Sequence, residues 1–169
     1  MKFTVNAPGA TRQRTACAIV GIYLDGILSD TAQALDKASG GLLSDVTRNR
    51  DIRGETGETL LLTHTGKLPC KRILLVGLGK SGKLEQRGHR KAVRAAYSVL
   101  GKAGHTDVIN FLGLETLSDA DAYRKARIAV ELWHETSYRF TAMKSAPAAK
   151  ASRLKSIGLA CATADRKHS

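Results

Sequence analysis

The chain has 169 residues, of which 43% are hydrophobic and 25% are charged. This composition is ordinary for a globular domain, and the length suits one domain or one domain with a short tail. No apolar run approaches the roughly 18 residues of a membrane-spanning helix, and the N-terminus lacks the apolar core of a signal peptide. We therefore expect a cytoplasmic chain with no membrane partner.

The charge is strongly unbalanced. There are 27 Lys and Arg residues against 15 Asp and Glu residues, a formal net charge of +12. Such an excess is compatible with a nucleic acid or another acidic partner. The alternatives are a solvated basic surface, or a chain whose remaining part is acidic, and composition alone leaves them open.

The first third of the chain predicts strands separated by helical turns. Residues 2–6 alternate polar and apolar side chains, which predicts a short strand. Residues 16–24 are apolar nearly throughout and predict a central strand. A helix capped by Ser29 or Asp30 follows, with one or two further helical turns after it. A polar, glycine-containing loop then leads into a third strand at residues 59–63.

The stretch K-R-I-L-L-V-G-L-G-K-S-G at residues 71–82 organises the chain. Its unbroken apolar run predicts a strand buried on both faces, which Gly77 and Gly79 are expected to end. A helical pattern follows over residues 84–102. Strand, glycine turn and helix form the core unit of an α/β domain. We predict an α/β domain with a sheet of about six strands.

The same glycines match two phosphate-binding motifs, and both matches fail. The spacing G-x-G-x-x-G from Gly77 to Gly82 fits the dinucleotide fingerprint, but no acid ends the next strand about 20 residues further on. The spacing G-x4-G-K fits a Walker A loop, but Leu84 stands where a hydroxyl must hold Mg²⁺. We therefore predict a glycine turn with no nucleotide or cofactor site in residues 77–83.

The helix predicted over residues 84–102 has two distinct faces. Val93, Ala96 and Leu100 follow helical spacing and predict the core face. A second face carries cations, and the loop before the helix adds two more. These candidate nucleic-acid contacts are Lys80, Lys83, Arg87, Arg90, Lys91 and Arg94. They would contact phosphates without reading sequence; the alternative is a solvated helix face.

Three elements are predicted in the remainder: a strand at residues 107–112, a helix that the capping box Ser118-x-x-Asp121 opens and that ends near Phe140, and a last strand within residues 153–163. The inward side of that helix is expected to include Ala122, Ala126, Ala129, Val130 and Trp133. A linker rich in Ala, Lys and Ser is predicted at residues 141–152.

Side chains that could ligate a metal or act in catalysis are scattered. Cys17, Cys70 and Cys161 are far apart, and no histidine has a partner at zinc spacing. Cys17 and Cys161 are expected to be buried free thiols. Asp119 and Asp121 are the closest acids, and capping at a helix start explains them. We predict no catalytic, metal or cofactor-binding residue in this chain.

Five segments in register carry a resemblance to a known family: A-L-D-K-A-S-G-G-L-L-S (34–44), G-E-T-L-L-L (57–62), R-I-L-L-V-G-L-G-K (72–80), R-K-A-V-R-A-A (90–96) and Y-R-F-T-A-M-K-S (138–145). In order and spacing they resemble the N-terminal domain of bacterial leucyl aminopeptidases, the cytosol aminopeptidase family. The likeness runs from residue 1 to about residue 163. Residues 164–169 are then expected to begin the connection to a catalytic domain.

The resemblance implies a two-domain, homohexameric parent enzyme. Its N-terminal domain is expected to be a mixed, mostly parallel sheet of about six strands flanked by helices, similar to macro domains. The family's C-terminal domain carries two divalent metals, zinc or manganese, and releases N-terminal residues from peptides. Its motifs resemble V-G-K-G and N-T-D-A-E-G-R, and neither occurs in this sequence. No catalytic residue is therefore transferred to any position here, and this chain alone is expected to be inactive.

Three function classes follow from these observations. The first is a non-catalytic aminopeptidase domain that positions or modulates a catalytic half missing from this chain. The second is DNA binding, since some bacterial members of the family are DNA-binding regulators and the charge fits, although no helix-turn-helix or zinc-finger motif occurs. The third is an ADP-ribose pocket of the macro-domain kind, which rests on likeness of fold alone.

Overall fold

The computed structural model describes residues 1–6, 9–101, 104–142 and 154–162, with residues 139–142 described in backbone only. The strands in these ranges are β1 (Lys2–Asn6), β2 (Cys17–Tyr23), β3 (Ile27–Leu28), β4 (Thr59–Leu62), β5 (Ile73–Gly79), β6 (Asp107–Asn110) and β7 (Ser156–Ala160). The helices are α1 (Asp30–Ser39), α2 (Leu42–Arg48), α3 (Gln86–Leu100) and α4 (Ala122–Ala142). None of the helices described is long and apolar enough to span a membrane.

All seven strands belong to one sheet, in the order β1-β7-β6-β2-β5-β4, with β3 paired to β2. The contacts of β1 with β7, β7 with β6, β6 with β2 and β2 with β5 are parallel. Those of β4 with β5 and β3 with β2 are antiparallel. The predicted mixed, mostly parallel sheet is confirmed. The strand beyond the six expected is β3, whose two residues are too few to show a periodic pattern.

The helices cover both faces of the sheet, and each face has its own core. Helices α1 and α2 pack on one face with Val20 and Leu75, whereas α3 and α4 pack on the other with Ile19 and Leu74. Neighbouring residues of β2 and β5 thus enter opposite cores, as the pleat of a strand requires. This explains why both strands read as unbroken apolar runs.

Two aspartates near the start of α4 cap two different helices. The Asp121 carboxylate accepts the Arg124 N–H at 2.8 Å and so caps α4. The Asp119 carboxylate accepts the Gln86 N–H at 2.7 Å and so caps α3. The predicted capping box that began at Ser118 is therefore wrong. Asp119 lies beside a helix 33 residues earlier, and sequence spacing cannot show such a neighbour.

Two predicted strand ends also differ from the structure. Strand β5 does not stop before Gly77 but continues to Gly79, where it ends, because residues 54–58 pair with the backbone of both glycines. Strand β6 ends at Asn110, two residues early, since the chain enters a 3-10 turn at Leu112–Leu114. Of the predicted linker, residues 143–152 lie outside the described residues, as do residues 164–169.

The buried side of α4 was predicted only in part. Ala129 and Trp133 are buried as expected, but so are Ile128 and Leu132, which the prediction omitted. Trp133 meets Tyr97 of α3 edge-on, with ring centroids 5.6 Å apart. Because α4 packs against α3 as well as the sheet, its apolar stripe is wider than the sequence predicted.

The predictions for Cys17 and Cys161 are confirmed, and Cys70 behaves in the same way. Cys17, Cys70 and Cys161 are all free and buried. Burial raises the pKa of the Cys17 thiol to about 12. The thiolate is therefore scarce at neutral pH, which is typical of a structural cysteine rather than a nucleophile.

Candidate functional site

The carboxyl ends of β2, β5 and β6 meet at one edge of the sheet, where open α/β sheets bind their ligands. Two surface depressions lie there. The acidic cleft, of about 680 Å³, lies between the loops that follow the three strands. The basic groove, of about 820 Å³, lies between the loop after β5 and the first turns of α3. Leu84 lines both.

The glycines at the end of β5 hold another segment of the chain. The Gly77 N–H donates to the Glu58 carbonyl at 2.8 Å, and the Gly77 carbonyl accepts the Gly57 N–H at 2.9 Å. The Gly79 N–H donates to the Gly54 carbonyl at 2.9 Å. Residues 54–58 thus occupy backbone hydrogen-bonding groups of Gly77 and Gly79, which are therefore not available to a ligand.

Close approach explains why these positions are glycine. A Cβ atom placed on Gly77 would lie 1.9 Å from the Glu55 carbonyl oxygen, nearer than any real contact. Gly79 has φ +81°, in the left-handed region that favours glycine. The absence of a nucleotide site in residues 77–83 stays a prediction. The N–H groups of Gly77 and Gly79 already have partners.

The segment that pairs with β5 also contains a carboxylate, which its own backbone binds. One Glu58 carboxylate oxygen accepts the backbone N–H groups of Arg53, Gly54 and Glu55 at 3.0, 3.0 and 3.2 Å. Successive N–H groups that point at one anion form the kind of concave site that elsewhere binds phosphate. Here an internal carboxylate fills it, which fixes the segment that covers β5.

All six predicted nucleic-acid contacts line the basic groove. The structure brings together Lys80, Lys83, Arg87, Arg90, Lys91 and Arg94. Lys80 and Lys83 come from the loop after β5, and the others come from α3. Their convergence follows from helical spacing and from the short connection between β5 and α3, both of which the sequence displays.

Two of the six cations have partners on α4, which the sequence did not predict. Arg90 pairs with Glu131 at 3.5 Å and Arg94 pairs with Glu135 at 3.1 Å. Both pairs are partly exposed, so each contributes little to stability. They still lower the positive charge available along that part of the groove. The other four cations of the groove are exposed to solvent: Lys80, Lys83, Arg87 and Lys91.

The acidic cleft centres on a buried carboxyl group that the prediction did not identify. Glu115 is 8% exposed, and the Tyr23 hydroxyl donates to its carboxylate at 2.6 Å. Burial raises the pKa of the Glu115 carboxyl, and the charge of nearby Asp30 raises it further, against the opposing effect of the Tyr23 hydrogen bond. Burial likewise raises the pKa of the Tyr23 hydroxyl. The sequence did offer one signal for Glu115, namely an acidic residue shortly after a predicted buried strand.

His89 of α3 is a second buried polar group that the sequence did not single out. Its Nε2 lies 3.2 Å from the Leu112 carbonyl oxygen, so this nitrogen carries the proton that is donated. Its Nδ1 is buried and has no partner among the described residues. Burial lowers the pKa of His89 to about 4, which keeps the ring neutral near pH 7.

Across the described ranges, no three His, Cys, Asp or Glu side chains lie close enough together to hold a metal ion. Asp119 and Asp121, the closest acids in sequence, each cap a different helix. Asp30 and Glu115 are the two carboxyl groups of the acidic cleft. The arrangement can form hydrogen bonds and attract charge, and within those ranges it offers no set of ligands for a two-metal centre.

Architecture places the chain among macrodomain-like α/β domains. It superposes on a Trypanosoma brucei macrodomain in complex with ADP-ribose with a TM-score of 0.72, at 15% identity, covering 98% of this chain and 66% of that one. It superposes on a tomato leucine aminopeptidase mutant with a TM-score of 0.71, at 19% identity, covering 95% of this chain and 32% of that one. At these identities the likeness shows the fold alone.

Sequence comparison defines the family. Residues 19–147 match the profile described as "Cytosol aminopeptidase family, N-terminal domain". The chain is also 37% identical over 145 residues to a probable cytosol aminopeptidase of Idiomarina loihiensis, covering 86% of this chain and 29% of that protein. The chain belongs to the cytosol aminopeptidase family, whose N-terminal domain it contains, and it spans less than a third of the length of the curated relatives it matches.

Proposed function

We propose that this chain is the non-catalytic N-terminal domain of a leucyl aminopeptidase and that it positions a catalytic domain outside this sequence. The observation that carries the proposal is the match of residues 19–147 to the family's N-terminal domain. The catalytic domain would supply two divalent metals, zinc or manganese, for hydrolysis of the N-terminal peptide bond. The whole protein would act in the cytoplasm as a homohexamer.

Hydrolysis of leucine-p-nitroanilide with added Mn²⁺ or Zn²⁺ tests this proposal in two arms. The chain alone should give no turnover above a control preparation. A chimaera in which residues 1–162 replace the matching region of the Idiomarina loihiensis relative should hydrolyse the substrate. Turnover that co-purifies with the chain alone, or a folded chimaera without activity, would contradict the proposal.

Two variants of the chimaera test whether the domain must be correctly folded to support activity. Gly77→Val places a side chain where the Glu55 carbonyl lies 1.9 Å away, so it should strongly destabilise the domain and lower activity. Gly9→Ala is the matched control, because a Cβ at Gly9 would meet nothing within 4 Å. Equal activity in the two variants would show that the domain does not position the catalytic half.

We propose DNA-backbone binding in the basic groove as the second candidate function. The observation that favours it is the convergence of six predicted cations on one groove. Four of them, Lys80, Lys83, Arg87 and Lys91, are exposed. Binding through phosphate contacts alone would tolerate any sequence and would weaken steeply with salt.

Filter binding of duplex DNA across a salt series tests the groove. Replacing the four exposed cations by Ala should flatten the slope of log K against log salt by up to roughly 3.6, about 0.9 for each phosphate that is no longer neutralised. Replacing Arg90 and Arg94 should change the slope less, because Glu131 and Glu135 already neutralise them. An unchanged slope in the fourfold variant would exclude the groove.

A charge-matched variant separates the groove from the overall charge. Arg14, Lys37, Lys67 and Lys71 are exposed cations outside the groove. Their replacement by Ala removes the same formal charge and should leave most of the slope in place. An equally flattened slope in the two fourfold variants would mean that net charge, rather than the groove, attracts DNA.

An ADP-ribose pocket finds less support in the site. The cleft at the carboxyl edge contains Asp30 and Glu115, and carboxylates repel a diphosphate. The N–H groups of Gly77 and Gly79 are already bonded to residues 54–58. Calorimetry with ATP, NAD and ADP-ribose should therefore give no saturable heat. Micromolar affinity that Gly79→Val abolishes would contradict this prediction.

A further inference from the structure

Strand β1 is one edge of the sheet, and its outer side has no neighbour within the described part of the chain. It pairs in parallel with β7, where the Lys2 N–H donates to the Lys155 carbonyl at 2.9 Å. Alternate residues of a strand bond to the same neighbour. The backbone N–H and C=O groups of Phe3 and Val5 therefore point outward and lack strand partners in the described ranges.

An apolar groove of about 400 Å³ runs between this edge and α4. Its apolar lining consists of Phe3, Val5, Tyr123, Ala126, Val130 and Leu159. Val5 is 45% exposed and Tyr123 is 59% exposed, high values for large apolar side chains. A free strand edge beside an apolar groove can accept a further strand, whose backbone bonds to the edge while its side chains enter the groove.

We propose that β1 pairs antiparallel with β1 of a second copy of this chain, around a two-fold axis that passes beside Thr4. In this register Phe3 lies opposite Val5 of the second copy, and each such pair exchanges two N–H···O bonds. The contact is isologous, because the same two residues supply both sides. Four new hydrogen bonds then join the two copies, and the free β1 edge of each copy gains a partner strand.

The side chains fit this pairing. Phe3 packs against the core on the α4 side of the sheet, and Val5, two residues further on, points to the same side. The two cross-strand pairs of Phe3 with Val5 therefore cover the apolar grooves of both copies. Lys2 lies opposite Asn6 of the second copy, so no like charges face each other across the new pair.

Charge complementarity favours a second copy over an unrelated strand. Arg127 and Glu131 lie on the groove side of α4 and pair with each other at 2.7 Å. The two-fold axis sets the α4 helices of the two copies antiparallel on one side of the joined sheet. Arg127 of one copy then approaches Glu131 of the other, and the charges alternate.

Sedimentation velocity and amide hydrogen exchange on the 169-residue chain test the proposal. The chain should show a reversible monomer–dimer equilibrium across a concentration series. The amides of Phe3 and Val5 should become protected as concentration rises, whereas the Thr4 amide, which faces β7, should be protected throughout. A chain that stays monomeric at all concentrations, or outward amides that never gain protection, would overturn the proposal.

Variants of Val5 locate the interface. Val5→Pro removes an outward N–H that the monomer does not use, and proline is tolerated at such edge positions. It should weaken dimerisation by about 30-fold, since two hydrogen bonds are lost per dimer. Val5→Thr keeps the N–H and the β-branched shape and should retain the dimer. A dimer that Val5→Pro leaves unchanged would overturn the proposal.

The charges on α4 provide a test that leaves the strand intact. Arg127→Glu should weaken the dimer by about tenfold, because it sets like charges against each other in two places. Adding Glu131→Arg should restore part of the affinity. A double variant as weak as Arg127→Glu alone, or a single variant that dimerises like the wild type, would contradict the two-fold arrangement. A monomer that instead takes up an added apolar strand peptide would also overturn it.

Discussion

The acidic cleft and the basic groove lie at the same edge of the sheet and share Leu84, yet they have opposite charge. No Lys or Arg of the described ranges lines the cleft, whose charged groups are Asp30 and Glu115. The groove has six cations against two acids, and one of those, Asp119, caps α3. The usual ligand position of an α/β sheet therefore repels anions here, while the adjoining helix face attracts them.

The largest effect should come from Gly77→Val, which breaks the strand end that lies between the two surfaces. The new Cβ would lie 1.9 Å from the Glu55 carbonyl oxygen, so residues 54–58 must leave β5. We expect a decrease of about 3 kcal/mol or more in the free energy of unfolding, measured in urea. Gly9→Ala should be neutral, because nothing lies within 4 Å of its added Cβ. A Gly77→Val chain as stable as wild type would refute this packing.

Acid should destabilise the domain through His89, which is buried on the opposite side of α3 from the exposed cations of the basic groove. Burial lowers the pKa of His89 to about 4 from its ordinary 6.5, so the unfolded chain binds this proton more readily. Its contribution to stability is then complete above pH 6.5 and is lost as pH falls towards 4. The decrease should reach about 3 kcal/mol, seen by urea unfolding along a pH series. His89→Gln should remove this part of the pH dependence, and an unaltered pH profile in that variant would contradict the assignment.

A smaller effect should follow from Glu58→Ala, which acts on the side of the basic groove. The variant leaves the N–H groups of Arg53, Gly54 and Glu55 without their acceptor. We expect a decrease of about 1–2 kcal/mol in unfolding free energy, and a smaller one for Glu58→Gln because it keeps one acceptor oxygen. Glu55→Ala, at a neighbouring exposed acid, is the control and should be close to neutral. Equal stability of Glu58→Ala and Glu55→Ala would mean that the internal anion is unimportant.

The smallest effect should come from Tyr23→Phe, which acts on the acidic cleft alone. It removes the 2.6 Å hydrogen bond to the buried Glu115 carboxylate and should cost about 1 kcal/mol near pH 7. Folding already raises the pKa of Glu115, so stability from this group falls as pH rises through its titration. The variant should raise that pKa further, and its penalty should therefore grow with pH. A penalty that is constant with pH would show that Tyr23 does not act on the charged form of Glu115.

Patterns that involve neighbouring residues were predicted well. The apolar runs of β2 and β5, the Ser29 cap of α1 and the cations at helical spacing on α3 all appear where the sequence placed them. Each depends on residues within a few positions of one another, where backbone geometry and solvent exposure set the pattern. The α/β class followed from the order of these elements, whereas the mixed, macro-domain-like sheet and the family followed from segments in register.

Contacts between distant segments needed the tertiary structure. Gly77 could be predicted as a special position, but only the fold shows that its backbone pairs with residues 54–58. Asp119 caps a helix that starts 33 residues earlier, and Tyr23 meets Glu115 across 92 residues. The sequence by itself determined which elements form and which helix face is cationic, because local periodicity encodes both. Which polar groups become buried, paired or neutralised was decided by packing, because desolvation and pairing depend on neighbours that chain order does not reveal.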